Sequence, residues 1–174
     1  MSESKNAASE PTIVVMGVSG CGKSAVGARL AQSLAINFID GDDLHTERSI
    51  AKMSLGVPLD DLDRQPWLEK VGRTLRSSDS HGLVVACSAL RRSYRTTIRK
   101  EAPSVVFIHL DGSRELIGAR MRERLSHFMP ESLLDSQFGA LEPLDIDERG
   151  AAFEIETSID AIARQIADWL ASAQ

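Results

Sequence analysis

Residues 17–24, GVSGCGKS, have the residue types and the spacing of a phosphate-binding loop. They follow the apolar run IVVM and fit the Walker A pattern. Glycines allow consecutive backbone N–H groups to curl around a phosphate, and a following helix presents its positive end. Lys23 is expected to reach the β- and γ-phosphates and the Ser24 hydroxyl to coordinate Mg²⁺. The predicted ATP-binding residues of the loop are Gly17, Val18, Ser19, Gly20, Cys21, Gly22, Lys23 and Ser24.

A second polar group, DGDD at 40–43, would lie at the carboxyl end of a second strand, where ligands of open α/β sheets gather. A carboxylate there can join the Mg²⁺ shell or accept the proton of an attacking hydroxyl. The next segment, 44–55, is predicted to be a helix. One face of that helix carries His45, Arg48, Ser49 and Lys52. Taken alone, this face fits either a solvent-exposed surface or a binding surface for a small polyhydroxylated acid.

Arginines cluster at two further places. Arg91, Arg92 and Arg95 follow a third strand, and Arg120, Arg122 and Arg124 precede His127-Phe128. Arginines at the entrance of a mobile cover would stabilise the negative charge on a phosphoryl group in transfer. An amphipathic helix with basic outer residues explains the same spacing equally well.

Alternating strands and helices are predicted to position these groups. Apolar runs predict strands at 12–16, 37–40, 83–87, 105–110 and 152–155, and helical spacing predicts helices at 23–34, 114–125 and 159–170. The runs at 83–87 and 105–110 are continuous apolar runs, as expected for strands covered on both faces. The order implies a mostly parallel sheet between helical layers. Insertions at 42–79 and 126–149 interrupt it and are expected to cover the site.

The first insertion is predicted to contain a helix whose start is indicated by Asp63 and Pro66. Asp63 is a plausible N-cap, because it places Pro66 in the first turn, where the missing N–H is harmless. A start at Asp60 would place Pro66 deeper in the helix, where its ring opposes helix geometry. We therefore expect the helix to begin after Asp63.

Length and composition limit the number of domains, the partners and the cellular compartment that the chain can have. The 174 residues suit one domain, predicted over 11–174 after a disordered leader at 1–10. A net charge of −5 without a long basic run argues against nucleic acid as a partner.

The two cysteines, Cys21 and Cys87, form no CxxC and are interpreted as free thiols in the cytoplasm. Because Cys21 lies within the phosphate-binding loop, its alkylation is expected to block ATP binding. No stretch approaches the roughly 18 apolar residues of a membrane span.

Several stretches together resemble the bacterial-type gluconokinases, small P-loop kinases related to shikimate kinase and adenylate kinase. They are GVSGCGKS (17–24), DGDDLH (40–45), KM followed by GVPLDDLDRQPWL (52–68), CSALRRSYR (87–95), RERLSHF (122–128) and LEPLDIDERG (141–150). The resemblance implies a three-layer sandwich with a five-stranded parallel sheet in the order 2-3-1-4-5, a helical substrate-binding insertion and a lid. It also implies ATP-dependent phosphorylation of D-gluconate to 6-phosphogluconate, which feeds the pentose phosphate or Entner–Doudoroff routes, with Mg²⁺ and a homodimer.

The same resemblance implies roles for individual residues. Asp42 would be the carboxylate that faces the acceptor, and Asp40 would bind Mg²⁺ through water beside Ser24. Arg64 would anchor the acid, with His45 and Lys52 as weaker contacts. Arg124 would be the lid arginine that acts on ATP, supported by Arg120. Lys23, Asp42 and Arg124 are thus the predicted catalytic residues.

The chain departs from the family pattern beside these residues. Family members commonly read His-Pro and then Asn where this chain has His45-Thr46 and Ser49, and a serine reaches a shorter distance than that asparagine. Two alternatives stay open at this point. One is a kinase of another small hydroxy acid such as shikimate, although shikimate kinases usually carry a glycine run where this chain has 87–90. The other is a nucleotide-gated binding module, which would not need Asp42, Arg64 and the lid arginines together.

Overall fold

The computed structural model describes residues 10–78, 80–123 and 131–173. Apart from Glu10, the predicted leader at 1–10 lies outside this part of the chain, as do Arg124, His127 and Phe128 of the predicted lid entrance. Within the described part, no helix combines the length and the apolar character needed to cross a membrane.

Five parallel strands form one sheet in the order β2-β3-β1-β4-β5, which confirms the predicted order. The strands are β1 (Thr12–Met16), β2 (Asn37–Asp40), β3 (Leu83–Ala86), β4 (Val106–Asp111) and β5 (Gly150–Glu154). β5 begins two residues before its predicted start at 152, because Gly150 already pairs with Phe107. A Cβ at Gly150 would lie 2.1 Å from the Phe107 carbonyl oxygen, so this pairing needs a glycine, a residue that strand propensity disfavours.

Helices connect the strands and cover both faces of the sheet. They are α1 (Lys23–Leu34), α2 (Glu47–Ser54), α3 (Asp61–Arg76), α4 (Arg92–Glu101), α5 (Arg114–Glu123), α6 (Glu131–Ala140) and α7 (Ile159–Ser172), with a 3₁₀ helix at Gly41–Leu44. α1 has its predicted bounds, and α7 begins at its predicted residue and extends two residues further. The predicted helix at 114–125 is observed as far as Glu123, where the described segment ends.

The core has two halves, one on each face of the sheet. Ile13 and Val15 of β1 pack with α1 and α7 on one face, whereas Val14 and Met16 pack with α3 and α4 on the other. Because successive strand residues point to opposite faces, a strand covered on both faces must be apolar throughout. This is why TIVVM is completely buried.

The strand order opens a crevice at the carboxyl ends of β1 and β3. From β1 the chain crosses to β2 on one side, whereas from β3 it crosses to β4 on the other. Ligands of open α/β sheets bind where the direction of connection changes. The loop at 17–24 and the segment at 87–90 both lie at this crevice, and the Gly17 N–H donates to the Ser88 carbonyl at 3.2 Å.

Candidate active site

The loop between β1 and α1 has the backbone conformation that its glycines allow. Gly22 precedes the first residue of α1 with φ 98° and ψ 22°, in the left-handed region that a residue with a Cβ rarely adopts. Gly17 has φ 145°, and a Cβ there would lie 2.7 Å from Cys21 Sγ and 2.9 Å from the Leu110 carbonyl oxygen. These two glycines therefore set the curl of the loop and its close approach to the strand ends.

Lys23 and Ser24 stand at the start of α1, as the loop pattern predicts. The Lys23 ammonium donates to the Val18 carbonyl at 3.1 Å, across the mouth of the loop. Ser24 Oγ donates to Asp40 Oδ2 at 2.6 Å. The other oxygen of Asp40 accepts the Asp42 N–H at 3.0 Å and caps the 3₁₀ helix. One carboxylate thus ties the phosphate-binding loop to the end of β2.

A cavity of about 490 Å³ opens in front of the loop. Its volume falls in the range of small-molecule sites. Asp40 and Asp42 line it together with Lys23 and Ser24. The remaining lining residues are Ser19, Gly20, Gly22, Ala25, Ala86, Cys87, Ser88 and Gln137. The cavity therefore holds the predicted phosphate-binding and acceptor-facing groups together.

The segment at 41–46 corrects the predicted single helix over 44–55. Gly41–Leu44 is a 3₁₀ helix, and α2 begins only at Glu47, with Thr46 as its N-cap. The break arises because the Thr46 hydroxyl accepts the Ser49 N–H at 3.1 Å, a capping bond that competes with helix continuation. His45 therefore does not lie on one helical face with Ser49 and Lys52.

His45 is instead held against Trp67 of α3. The two rings stack with centroids 4.3 Å apart, and the Trp67 indole N–H donates to the Gly41 carbonyl at 2.7 Å. His45 Nε2 lies 3.8 Å from Asp42 Oδ1, while Nδ1 is buried and has no hydrogen-bond partner within the described residues. Burial lowers the pKa of His45, the Asp42 charge opposes that shift, and Arg64 adds to it. The neutral imidazole is therefore favoured beside Asp42.

The other members of the predicted face have separate surroundings. Ser49 is buried, and its hydroxyl accepts a hydrogen bond from the Thr46 hydroxyl at 3.0 Å. The Lys52 ammonium pairs with Asp63 of α3 at 2.5 Å, and Arg48 is exposed. Ser49 thus serves the local capping structure, and Lys52 joins α2 to α3.

The start of α3 also differs from the prediction. Its N-cap is Asp60, and Asp63 is the third residue of a capping box in which each side chain accepts the other's backbone N–H. Two satisfied N–H groups, together with the Lys52 ion pair on Asp63, outweigh the cost of Pro66 inside the helix. The prediction that Asp63 caps the helix is therefore wrong, because its reciprocal bonds with Asp60 place it at the third position of α3.

Arg64 lies one turn into α3, within a small polar cluster. Its guanidinium donates to the Tyr94 hydroxyl at 3.2 Å and lies 3.7 Å from the Asp61 carboxylate. Arg91 shares both neighbours, at 3.6 Å from Asp61 and with its guanidinium over the Tyr94 ring. Arg64 is about one-third exposed, so its position is braced while part of the guanidinium can still reach a ligand.

The arginines that follow β3 do not act together. Arg91 is the extended N-cap of α4, and Arg92 pairs with Asp145 and Asp147. Arg95 is completely buried against Glu148. The guanidinium donors of Arg95 are therefore used within the fold.

Arg120 of α5 belongs to the predicted lid arginines and lies within the described residues. It donates to the Ile155 carbonyl at 2.5 Å, and its positive charge is close enough to act on the pKa of Cys21. Arg124, for which the main lid role is predicted, lies outside the described residues. Arg120 therefore lies near the phosphate-binding loop while it is bonded to the end of β5.

Gln137 of α6 was not predicted, yet it contacts the loop directly. Its carbonyl oxygen accepts the Ser19 N–H at 2.6 Å, and its amide nitrogen donates to Ser19 Oγ at 3.0 Å. No motif marks this glutamine, because it lies more than a hundred residues from the loop and approaches it only in the folded chain.

Both cysteines are free and buried. Cys21 packs under the loop and is 1% exposed, and burial raises the pKa of its thiol. Burial raises the pKa of Cys87 to about 12. Cys21 is therefore not open to the alkylation expected from its place in the loop.

No group of three or more His, Cys, Asp or Glu side chains within the described residues is arranged to hold a metal ion. Mg²⁺ binds through oxygen ligands and usually completes its octahedral shell with phosphates and water. The Ser24 hydroxyl and the Asp40 carboxylate offer the hard oxygen donors that such an ion prefers.

Comparison with known proteins places this site in a family. The family model described as shikimate kinase matches residues 19–135. The chain is 48% identical over 141 residues to the thermosensitive gluconokinase of Escherichia coli, a match that covers 79% of this chain and 75% of that protein. It is 39% identical to the gluconokinase of Arabidopsis thaliana, with 97% of each chain covered.

The solved structures agree with these sequence matches. A gluconokinase from Sinorhizobium meliloti 1021 superposes with a TM-score of 0.85 at 44% identity, covering 94% of this chain and 93% of that chain. The family model shows that the domain is of the shikimate kinase type, and the relatives that match across most of its length are gluconokinases. The chain therefore belongs to the gluconokinase family.

Proposed function

We propose that this protein transfers the γ-phosphoryl group of ATP to the terminal hydroxyl of D-gluconate, giving 6-phospho-D-gluconate and ADP. One observation carries this proposal: the phosphate-binding loop opens into a cavity that is also lined by Asp42. The relatives named gluconokinases support gluconate as the acceptor. Phosphoryl transfer needs mainly alignment and charge stabilisation, and this cavity offers groups for both.

On the donor side, the loop amides and the start of α1 would bind the phosphates. Lys23 would exchange the Val18 carbonyl for the β- and γ-phosphate oxygens, since a charged acceptor makes the stronger hydrogen bond. Arg120 of α5 would neutralise charge on the phosphates, and we assign the same role to Arg124, which lies outside the described residues. The exchange at Lys23 requires no backbone change, because its ammonium already lies at the mouth of the loop.

Ser24 and Asp40 are the residues that would hold Mg²⁺, with Asp40 acting through water. The ion would neutralise phosphate charge and help to align the triphosphate. Asp40 already accepts hydrogen bonds from Ser24 and from the Asp42 backbone. Its carboxylate is thereby kept in a fixed orientation at the cavity.

On the acceptor side, Asp42 would take the proton of the gluconate hydroxyl. The hydroxyl oxygen forms a bond to the γ-phosphorus, the bond from that phosphorus to the β-γ bridging oxygen breaks, and ADP leaves with that oxygen. Asp42 is well exposed to the cavity, with 87% of its side chain accessible, so a hydroxyl can reach it. The neutral His45 beside it offers a further polar group for the sugar hydroxyls.

Arg64 would hold the gluconate carboxylate. Tyr94 and Asp61 keep its guanidinium oriented, which reduces the entropy lost on binding. Lys52 is a weaker candidate for this role than the sequence alone indicates, because Asp63 already neutralises it. A direct contact from Lys52 to substrate would require that ion pair to open.

A homodimer and a cytoplasmic location complete the proposal. The homodimer rests on the family resemblance, and the location rests on the interpretation of Cys21 and Cys87 as free thiols. Size-exclusion chromatography with light scattering would test the dimer by the mass of the particle in solution. A mass equal to one 19.0 kDa chain would exclude it.

The activity itself is tested by ADP release with Mg·ATP and a panel of acceptors. The panel contains D-gluconate, other sugar acids, shikimate and a blank without acceptor. We expect turnover with D-gluconate that exceeds the blank and the other acids at low concentration. Turnover of shikimate with none of gluconate would overturn the choice of acceptor, and an absence of nucleotide binding would overturn the whole proposal.

A further inference from the structure

Gln137 makes the closest polar contact between α6 and the phosphate-binding loop. Its side-chain carbonyl lies 2.6 Å from the Ser19 nitrogen, and its amide nitrogen lies 3.0 Å from Ser19 Oγ. The carboxamide therefore meets both the backbone and the side chain of one loop residue. A pair of bonds with this complementarity fixes Gln137 on the loop in the structure described here.

Gln137 lines the cavity in which the terminal phosphate of ATP would lie. Lys23 and Asp42 line the same cavity. Lys23 belongs to the donor side and Asp42 to the proposed acceptor side, so a group in transfer must cross the space between them. Ser19 supplies a backbone N–H to that space, and in this structure an amide carbonyl already occupies it.

We propose that Gln137 occupies the place of a γ-phosphate oxygen, so that ATP displaces it from Ser19 and ADP does not. This inference rests on the proposed binding of ATP in the loop. A phosphate oxygen is a charged acceptor and bonds to an N–H more strongly than a neutral carbonyl does. The third phosphate can therefore replace the glutamine, while ADP leaves the Ser19 N–H with Gln137.

The exchange links the third phosphate to the position of α6. Apart from Gln137, α6 is fastened by the buried side chain of Leu134, by Phe138 at the edge of the core, and by an ion pair between Arg114 and Asp135. Loss of the Ser19 contacts would loosen the end of α6 nearest the loop. Gln137 is thus a residue through which the protein distinguishes ATP from ADP.

Binding measurements on two variants test this role. When a side chain of the protein occupies a binding site, the apparent affinity for the ligand is the intrinsic affinity multiplied by the fraction of molecules in which the site is free. Gln137→Ala should therefore bind a non-hydrolysable imido analogue of ATP about fivefold to thirtyfold more tightly than the wild type, with ADP affinity within about twofold. Gln137→Glu should weaken binding of the analogue, because its carboxylate accepts the Ser19 N–H strongly and repels the third phosphate.

Ser136→Ala is the matched control, since Ser136 is the exposed neighbour of Gln137 on α6. Calorimetric titration of all four proteins with Mg²⁺ and each nucleotide gives the affinities. Unchanged or weaker analogue binding by Gln137→Ala would overturn the proposal, and weaker binding would make Gln137 a phosphate ligand instead. Failure of the wild type to bind either nucleotide would count against the proposed function itself.

Hydrogen exchange provides a readout that does not depend on the variants. In the wild type, the amides of α6 should exchange faster with the ATP analogue than with ADP, by about threefold or more, because only the analogue releases Gln137. Equal exchange of α6 with the two nucleotides would contradict the displacement.

Discussion

Arg95 and Glu148 form a completely buried ion pair, with Arg95 Nε 2.7 Å from Glu148 Oε1. The same guanidinium donates to the carbonyls of Ala89, Leu90, Glu142 and Pro143. Arg95 thus joins the end of β3 to the segment that precedes β5. Because Ser88, next to Ala89, accepts the Gly17 N–H, this pair also supports one side of the phosphate-binding loop.

Removal of Arg95 should therefore strongly destabilise the fold. We expect Arg95→Ala to lower the free energy of unfolding by about 3–5 kcal/mol, because Glu148 would remain buried without its partner. Arg29→Ala is the control, since Arg29 pairs with Asp160 on the exposed surface, where such pairs contribute about 0–1 kcal/mol. Urea denaturation measures both, and equal losses would contradict the structural role of Arg95.

The same pair predicts how stability changes in acid. Burial raises the pKa of Glu148, but the hydrogen bonds from Arg95 and the Asp145 N–H, with the Arg95 charge, outweigh it and hold the pKa below its usual value. A carboxylate with a lowered folded-state pKa stabilises the fold above its unfolded pKa and loses that contribution as the pH falls through the folded value. Urea midpoints should therefore fall below about pH 4, less steeply in Glu148→Gln.

Lys23→Ala tests the phosphate-binding loop. We expect kcat to fall about 10²- to 10³-fold, because the ammonium would no longer stabilise charge on the phosphoryl group. The thermal midpoint should change little, since the Lys23 side chain makes one hydrogen bond to the described residues, to the Val18 carbonyl. Lys70→Ala removes the same charge from an exposed position on α3 and should keep wild-type turnover. Full activity of Lys23→Ala would refute the assigned role.

Asp42→Asn tests the acceptor carboxylate. An amide cannot take the hydroxyl proton, so kcat should fall about 10²- to 10⁴-fold. KM for gluconate should change much less, because an asparagine can still accept a hydrogen bond. Asp43→Asn, at the exposed neighbouring carboxylate, should turn over like the wild type. If both variants lost the same activity, the assignment of Asp42 would fail.

Arg64→Ala should chiefly raise KM for gluconate, by about 10- to 100-fold, with kcat reduced less than about threefold. The reason is that a carboxylate anchor binds ground state and transition state alike. Arg91→Ala is a matched control, because Arg91 shares Asp61 and the Tyr94 ring with Arg64. If steady-state kinetics showed a larger increase in KM for Arg91→Ala than for Arg64→Ala, Arg91 would be the anchor instead.

The two thiols should resist modification while the protein is folded. With the pKa of Cys87 raised to about 12, this thiol remains protonated at neutral pH, and Cys21 is shielded beneath the loop. Mass spectrometry after iodoacetamide treatment at pH 7.5 should show no label on the native protein and two labels after denaturation. Rapid native labelling of Cys21 would show that the loop opens more readily than its packing indicates.

The strongest predictions from sequence were those based on local chemistry. The glycines, Lys23 and Ser24 fix a loop conformation that depends on few distant contacts, and the apolar runs fix strands that must be covered on both faces. The strand order came from the family resemblance, and the structure confirms it. Errors arose where a side chain competes with the backbone, as in the Thr46 cap that breaks the predicted helix and the capping box that moves the start of α3.

The sequence by itself determined the sheet, the loop and the family, because periodicity, glycine positions and motif spacing act over a few residues. Only the tertiary structure decided which polar groups are already paired and which face the cavity. The sequence alone does not distinguish Arg95 from Arg64. In the structure, Arg95 is buried against Glu148, whereas Arg64 remains partly exposed beside Tyr94. The meeting of Gln137 with Ser19 depends on how α6 folds back over the loop, a contact between distant segments that no local pattern encodes.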